Sequence, residues 1–197
     1  RGHSLDTRVE TELDLIGAIY DAVIDAARWD ETVDRIRRYL GFHLSMLAVL
    51  GLPSGKMIVG AQSNVPYPFS ETIYTYADEA MSLWGGVERF SRLPVEEPIV
   101  HTEANPSGSW IGSTFYEEWA KPQGLVDQVV LILESNSRLV ANIAFGVHQS
   151  MSPIRDEQIR SARTLAPHLR RAAIISGLLD GRKEAAESFE SVMNALG

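Results

Sequence analysis

Two β-forming runs, "QVVLILE" (128–134) and "RLVANIAFGV" (138–147), are separated only by "SNS" and its neighbours. Runs rich in β-branched residues and joined by so short a polar link form a hairpin. The rest of the chain must therefore arrange itself around an antiparallel sheet. A second pair follows the same logic: "HLSMLAVL" (43–50) turns through "GLPSGK" into "MIVGAQ" (57–62), with Pro and Gly at the turn. A short extended piece is expected at "EPIVH" (97–101).

Helical spacing fills the intervals. In "TELDLIGAIYDAVIDAA" (11–27), Leu13, Ile16, Tyr20, Val23, Ile24 and Ala27 recur at three- and four-residue steps. After Trp29, Asp30 is placed to cap a second helix whose Val33, Ile36, Tyr39 and Leu40 share a face, and Gly41 stops it. A third helix is predicted over 70–84, ended by Gly85 and Gly86, and a short amphipathic one in "STFYEEWAKPQGLVDQ" (113–128), halted at Pro-Gln-Gly. A long helix is expected from near Pro153 toward 196, kinked or interrupted at Pro167. Its stripe of Leu165, Leu169, Ala172, Ile175, Leu179, Ala186, Phe189, Met193 and Leu196 seeks another helix. Antiparallel strands with helices on their faces make an α+β, single-sheet domain. Residues 1–10 read as a cloning scar or flexible lead, 11–152 as the globular domain, and 153–197 as a carboxy-terminal helix that packs on the sheet and then pairs.

Composition limits the chemistry. The 197 residues carry no Cys, which excludes disulfides, thiolate catalysis and cysteine metal sites. A net charge of −8 is the wrong footprint for a free-standing nucleic-acid binder. No apolar run approaches the roughly 20 residues needed to cross a bilayer, and no signal peptide is visible, so a cytoplasmic location is expected. The five histidines show no i, i+4 pair, so no local metal motif is present and no cofactor or metal is expected. No phosphate loop or nucleophile elbow occurs; "GSWIG" (108–112) lacks a Ser at its centre, and an enzyme is not expected. The adjacent carboxylates Glu96–Glu97 and Glu117–Glu118 read as solvated faces, and so do Arg155, Arg160, Arg163, Arg170 and Arg171, paired with Asp156 and Glu157.

What remains is aromatic. Ten of the sixteen rings lie between 67 and 119: Tyr67, Phe69, Tyr74, Tyr76, Trp84, Phe90, Trp110, Phe115, Tyr116 and Trp119. Such rings either fill a core or wall a small-molecule pocket, where each offers an apolar face and the Tyr and Trp a polar tip. The candidate wall is Tyr74, Trp84, Trp110, Tyr116 and Trp119.

Three stretches carry a family resemblance: "LIGAIYDAVIDAARWDETVDRIRRYLG" (15–41), "FYEEWAKPQGLVDQVVLILESNSRLVANIAFG" (115–146) and "LAPHLRRA" (165–172). Together they resemble the amino-terminal region of LuxR-type helix-turn-helix transcriptional regulators. The resemblance runs in order along nearly the whole chain and is weak across 50–110. It implies a GAF/PAS-like sensor domain that takes a small ligand, pairs as a homodimer, and reaches DNA only through a carboxy-terminal domain. Nothing after 172 resembles that domain, so the chain reads as the sensor part alone. The spaced Trp, Tyr and Asp pattern of acyl-homoserine-lactone receptors is not convincingly present, and "YTYADEAMSLWGG" (74–86) is a loose echo. Two expectations follow. The chain is either a dimerising sensor of a small, mostly apolar molecule, or a ligand-free protein-interaction module on a degenerate GAF-like scaffold.

Overall fold

Thr11 caps the first helix. Its hydroxyl accepts from the Asp14 N–H while the Asp14 carboxylate accepts from the Thr11 N–H, a reciprocal capping box. The computed structural model describes residues 10–105 and 110–177. Helix α1 spans Glu12–Ile24 and α2 spans Trp29–Leu40, ended by Gly41 in the left-handed conformation at φ 73°. Strands β1 (Leu44–Gly51), β2 (Met57–Ser63), β3 (Pro98–Val100), β4 (Leu125–Ser135) and β5 (Leu139–His148) follow, and α3 (Asp156–Ile175) closes the described chain. The expected stripe beyond 177 lies outside the described residues.

The five strands form one antiparallel sheet in the order β2-β1-β5-β4-β3. The anticipated hairpin is its centre. Because side chains alternate across a strand, β5 divides cleanly. Ala141, Ile143, Phe145 and Val147 point to one face and join Leu47, Val129, Leu131 and Leu133 there. That face is covered by α1, α2 and α3 through Leu15, Ile19, Val33, Ile36, Leu165 and Leu169, with Phe42 stacked on Phe145 at 5.0 Å. Pro167 sits inside α3 without interrupting it. The other strand positions, Leu44, Met46, Leu50, Leu125, Val130, Ile132 and Val140, face away from the helices and pack under the 65–120 segment.

Two expectations change in detail. The single helix over 70–84 is three consecutive pieces, Phe69–Thr72, Ile73–Tyr76 and Ala77–Leu83, which lets the segment bend over the sheet. The arginines of α3 do not pair with Asp156 and Glu157 on their own helix. Arg163 reaches Glu97, and Arg170 reaches Glu96 and Glu134, so these charges tie α3 to the sheet's β3–β4 side. Among the described residues no helix is long and apolar enough to cross a membrane.

Candidate functional site

The even-numbered residues of β5 form the floor of a cavity. Asn142, Ala144 and Gly146 lie there with Leu44, Met46, Ala48 and Leu50 of β1 and Leu125, Gln128 and Val130 of β4. The walls and roof come from the aromatic segment: Ile73, Met81, Trp84, Phe90, Trp110, Phe115 and Trp119. The cavity volume is about 100 Å³. A dry apolar protein cavity that accepts benzene measures about 150 Å³, so a guest of that size or larger requires the roof to give.

The roof is one turn of π-helix, Phe115–Ala120, closed by an i to i+5 bond from the Lys121 N–H to the Tyr116 carbonyl. Such turns are rare and concentrate at functional sites. Glu79 holds its start: one carboxylate oxygen accepts from the Thr114 N–H at 3.0 Å and the other from the Phe115 N–H at 2.6 Å. The Tyr76 hydroxyl donates to Glu118 at 2.7 Å, and the Trp119 indole donates to the Phe69 carbonyl at 2.9 Å. Phe115 and Trp119 stack at 5.3 Å with planes 15° apart. At the other end Gly124, at φ 71°, precedes β4, with the His148 ring packed where a Cβ would stand.

Of the five expected wall residues, the structure brings three together. Trp84, Trp110 and Trp119 are each at most 4% exposed and line the cavity. Tyr116 is half-buried behind Trp110, 5.9 Å away ring to ring, and does not reach the lining. Tyr74 is 50% exposed and also outside the lining. It lies at the rim of the sheet, where its hydroxyl accepts from the Val59 N–H of β2 at 3.4 Å. β2 is an edge strand, and edge N–H groups invite pairing with other chains. Tyr74 and Asp30, which accepts from the Gln62 N–H, occupy two of them.

Sequence reasoning missed Phe90, Phe115 and the whole floor as lining residues. The signal for the floor was present in β5. An Asn in a run as apolar as "LVANIAFGV" is a polar residue where a packed strand has little use for one.

The polar groups of the lining are few. The Trp110 indole donates to the Val126 carbonyl and that of Trp119 to Phe69, but the Trp84 N–H and the carboxamides of Gln128 and Asn142 have no hydrogen-bond partner among the described residues. None of the lining residues is ionisable.

His101 stands just behind the wall, 1% exposed, between Trp84 at 4.7 Å and Trp110 at 5.7 Å. Its Nε2–H donates to the Leu83 carbonyl at 3.2 Å, leaving Nδ1 buried without a partner among the described residues. Burial pushes its pKa below the ordinary histidine value, opposed in part by the Leu83 bond, so the ring is neutral. Among the described residues no three His, Asp or Glu side chains are grouped to hold a metal ion.

No family model matches the chain, and no curated protein matches it in sequence. Solved structures match its shape. The VqsR LBD domain from Pseudomonas aeruginosa superposes with a TM-score of 0.64 at 12% identity, covering 83% of this chain and 94% of that one. CepR2 from Burkholderia cenocepacia, an N-acylhomoserine lactone dependent LuxR family transcription factor, gives 0.56 at 14% identity, over 82% and 92%. The phycoerythrobilin-bound GAF domain of a cyanobacterial phytochrome gives 0.57 at 15% identity, over 86% and 98%. The five-stranded order, the helices on one face and the bent segment over the other are thus a GAF-like α+β fold, the form in which the LuxR-family factor CepR2 is also built.

Proposed function

We propose that the chain is the sensor region of a LuxR-type transcriptional regulator, and that its guest is a small, uncharged, mostly apolar molecule held between the sheet and the π-helical roof. The observation that carries this reading is the lining itself: apolar and aromatic, without an ionisable group, and with the Asn142 and Gln128 carboxamides making no hydrogen bond among the described residues. The likeness in shape to the VqsR LBD domain and to lactone-dependent CepR2 supports a ligand-sensing role. It does not carry a lactone over to this chain. Trp84, Trp110 and Trp119 are the wall the guest would touch; Tyr116 backs Trp110, and Tyr74 guards the sheet edge.

The regulator would act in the cytoplasm as a homodimer and contact DNA through a separate domain. Leu13 and Ile24 on α1 and Ile174 and Ile175 on α3 are exposed, and Ile24 is 88% so. These residues are the surface on which two copies would meet. A guest shifts such an assembly only by binding its two states unequally. The route available here runs from Phe90 in the lining to Glu96 and Glu97, which grip Arg170 and Arg163 of α3.

A ligand-free interaction module is the second reading, favoured by the small cavity volume and the same exposed apolar residues. Thermal-shift and calorimetric titration with neutral aromatic probes such as toluene separates the two. Saturable binding supports the sensor, and no binding by any such probe supports the module. Sedimentation of the chain at micromolar concentration tests the pairing, and a monomer throughout contradicts it.

A further inference from the structure

From the placement of Asn142, and resting on the cavity being the guest site, we infer that this residue selects the guest: a molecule presenting a paired hydrogen-bond donor and acceptor, of the carboxamide type, to the floor of the cavity. Asn142 is 6% exposed and lies in the lining. It sits on the central strand, in register with Ala48 of β1 on one side and Ile132 of β4 on the other. Val140 and Ala144, its neighbours on the same face, are apolar too. No protein group among the described residues hydrogen-bonds its carboxamide, which offers one acceptor oxygen and two N–H donors.

A partner with both functions satisfies that group; an anion satisfies only the donors and brings a charge among residues that cannot neutralise it. Gln128 is in register with Gly146, four residues further along β5, and so lies toward the end of the floor, roughly 13 Å away along the strand. The two carboxamides thus stand toward opposite ends of the floor, with Ala144 between them.

The test uses three probes of the same shape and number of heavy atoms: benzamide, benzoate and isopropylbenzene. Their affinities are measured by calorimetry on the unaltered chain and on Asn142→Leu. Benzamide is expected to bind the unaltered chain and to lose about tenfold in Asn142→Leu. Isopropylbenzene should bind Asn142→Leu at least as tightly as the unaltered chain, and benzoate should bind neither. Asn142→Thr, whose hydroxyl both donates and accepts, should retain part of the benzamide affinity, and serves if the Leu variant does not fold. Equal benzamide affinity in all variants, with isopropylbenzene binding normally, overturns the role of Asn142 and leaves the cavity reading standing. Benzoate binding as tightly as benzamide overturns the uncharged class. If no probe binds any variant, the cavity reading fails and this inference fails with it.

Discussion

At the scale of single residues, two glycines, Gly146 in the cavity lining and Gly124 before β4, set a measurable cost. A Cβ on Gly124 would stand 2.2 Å from the His148 ring, at a φ of 71° that side chains rarely adopt. A Cβ on Gly146 would stand 2.8 Å from Leu44 and 3.0 Å from Leu125. Overpacking of this kind costs about 1–3 kcal/mol, and the left-handed backbone adds about 1 more. Gly124→Ala is therefore expected to lower the thermal midpoint more than Gly146→Ala. Gly86→Ala meets open space, but φ 89° and ψ 168° lie in a region essentially restricted to glycine, so it too should lower the midpoint, by a strain of about 1–3 kcal/mol. Denaturation of the three variants checks the order.

Two histidines give a pH dependence. Burial lowers the pKa of His101, and burial together with neighbouring His148 and Arg37 lowers that of His43. A folded value below the unfolded one of about 6.5 means that the full contribution is present above that pH and is lost as the pH falls through the folded values. The thermal midpoint should thus drop below about pH 6.5, before the lowered carboxyls Asp34 and Glu97 begin to matter near pH 4 and under. Replacing His43 with Asn should flatten the first drop; an unchanged profile would remove His43 from the account. Single residues were also where the sequence was least legible. Clustering pointed to Trp84, Trp110 and Trp119, but it could not separate them from Tyr74, because facing a cavity and capping a sheet edge call for the same amphipathic ring.

At the scale of elements, the π-helical turn is the part most free to respond to a guest. The N–H groups of its cap, Thr114, and of its first residue, Phe115, are held by one side chain of another element, Glu79. Losing hydrogen bonds to a charged acceptor costs about 1.5–3 kcal/mol each at most. Glu79→Ala should lower stability within that range and speed amide exchange over 114–120, while exchange in α1 and β5 stays slow. Uniform protection of the roof in the variant would show that the clasp is immaterial. Strands and long helices were readable as elements because their periodicities are strict, but the buried side of α1 is Leu15, Ala18, Ile19 and Ala22, and Leu13 and Ile24 of the predicted stripe are exposed. The 70–84 helix was not, since its breaks come from bending over the sheet, a tertiary demand that "SETIYTYADEAMSLW" does not announce. The arginines of α3 were misjudged for the same reason: their partners are far away in sequence.

At the scale of the whole molecule, one sheet serves two unlike layers. The face under α1, α2 and α3 is a filled core, and the opposite face leaves a void under aromatic side chains. The four tryptophans sample both, Trp29 in the helical layer and Trp84, Trp110 and Trp119 around the void. Their indole N–H resonances can therefore be followed while toluene is titrated into isotope-labelled protein. If the void takes a guest, the three cavity indoles shift saturably and that of Trp29 stays in place. If none moves, or if all four move together, the segment from Trp84 to Trp119 is core and encloses nothing.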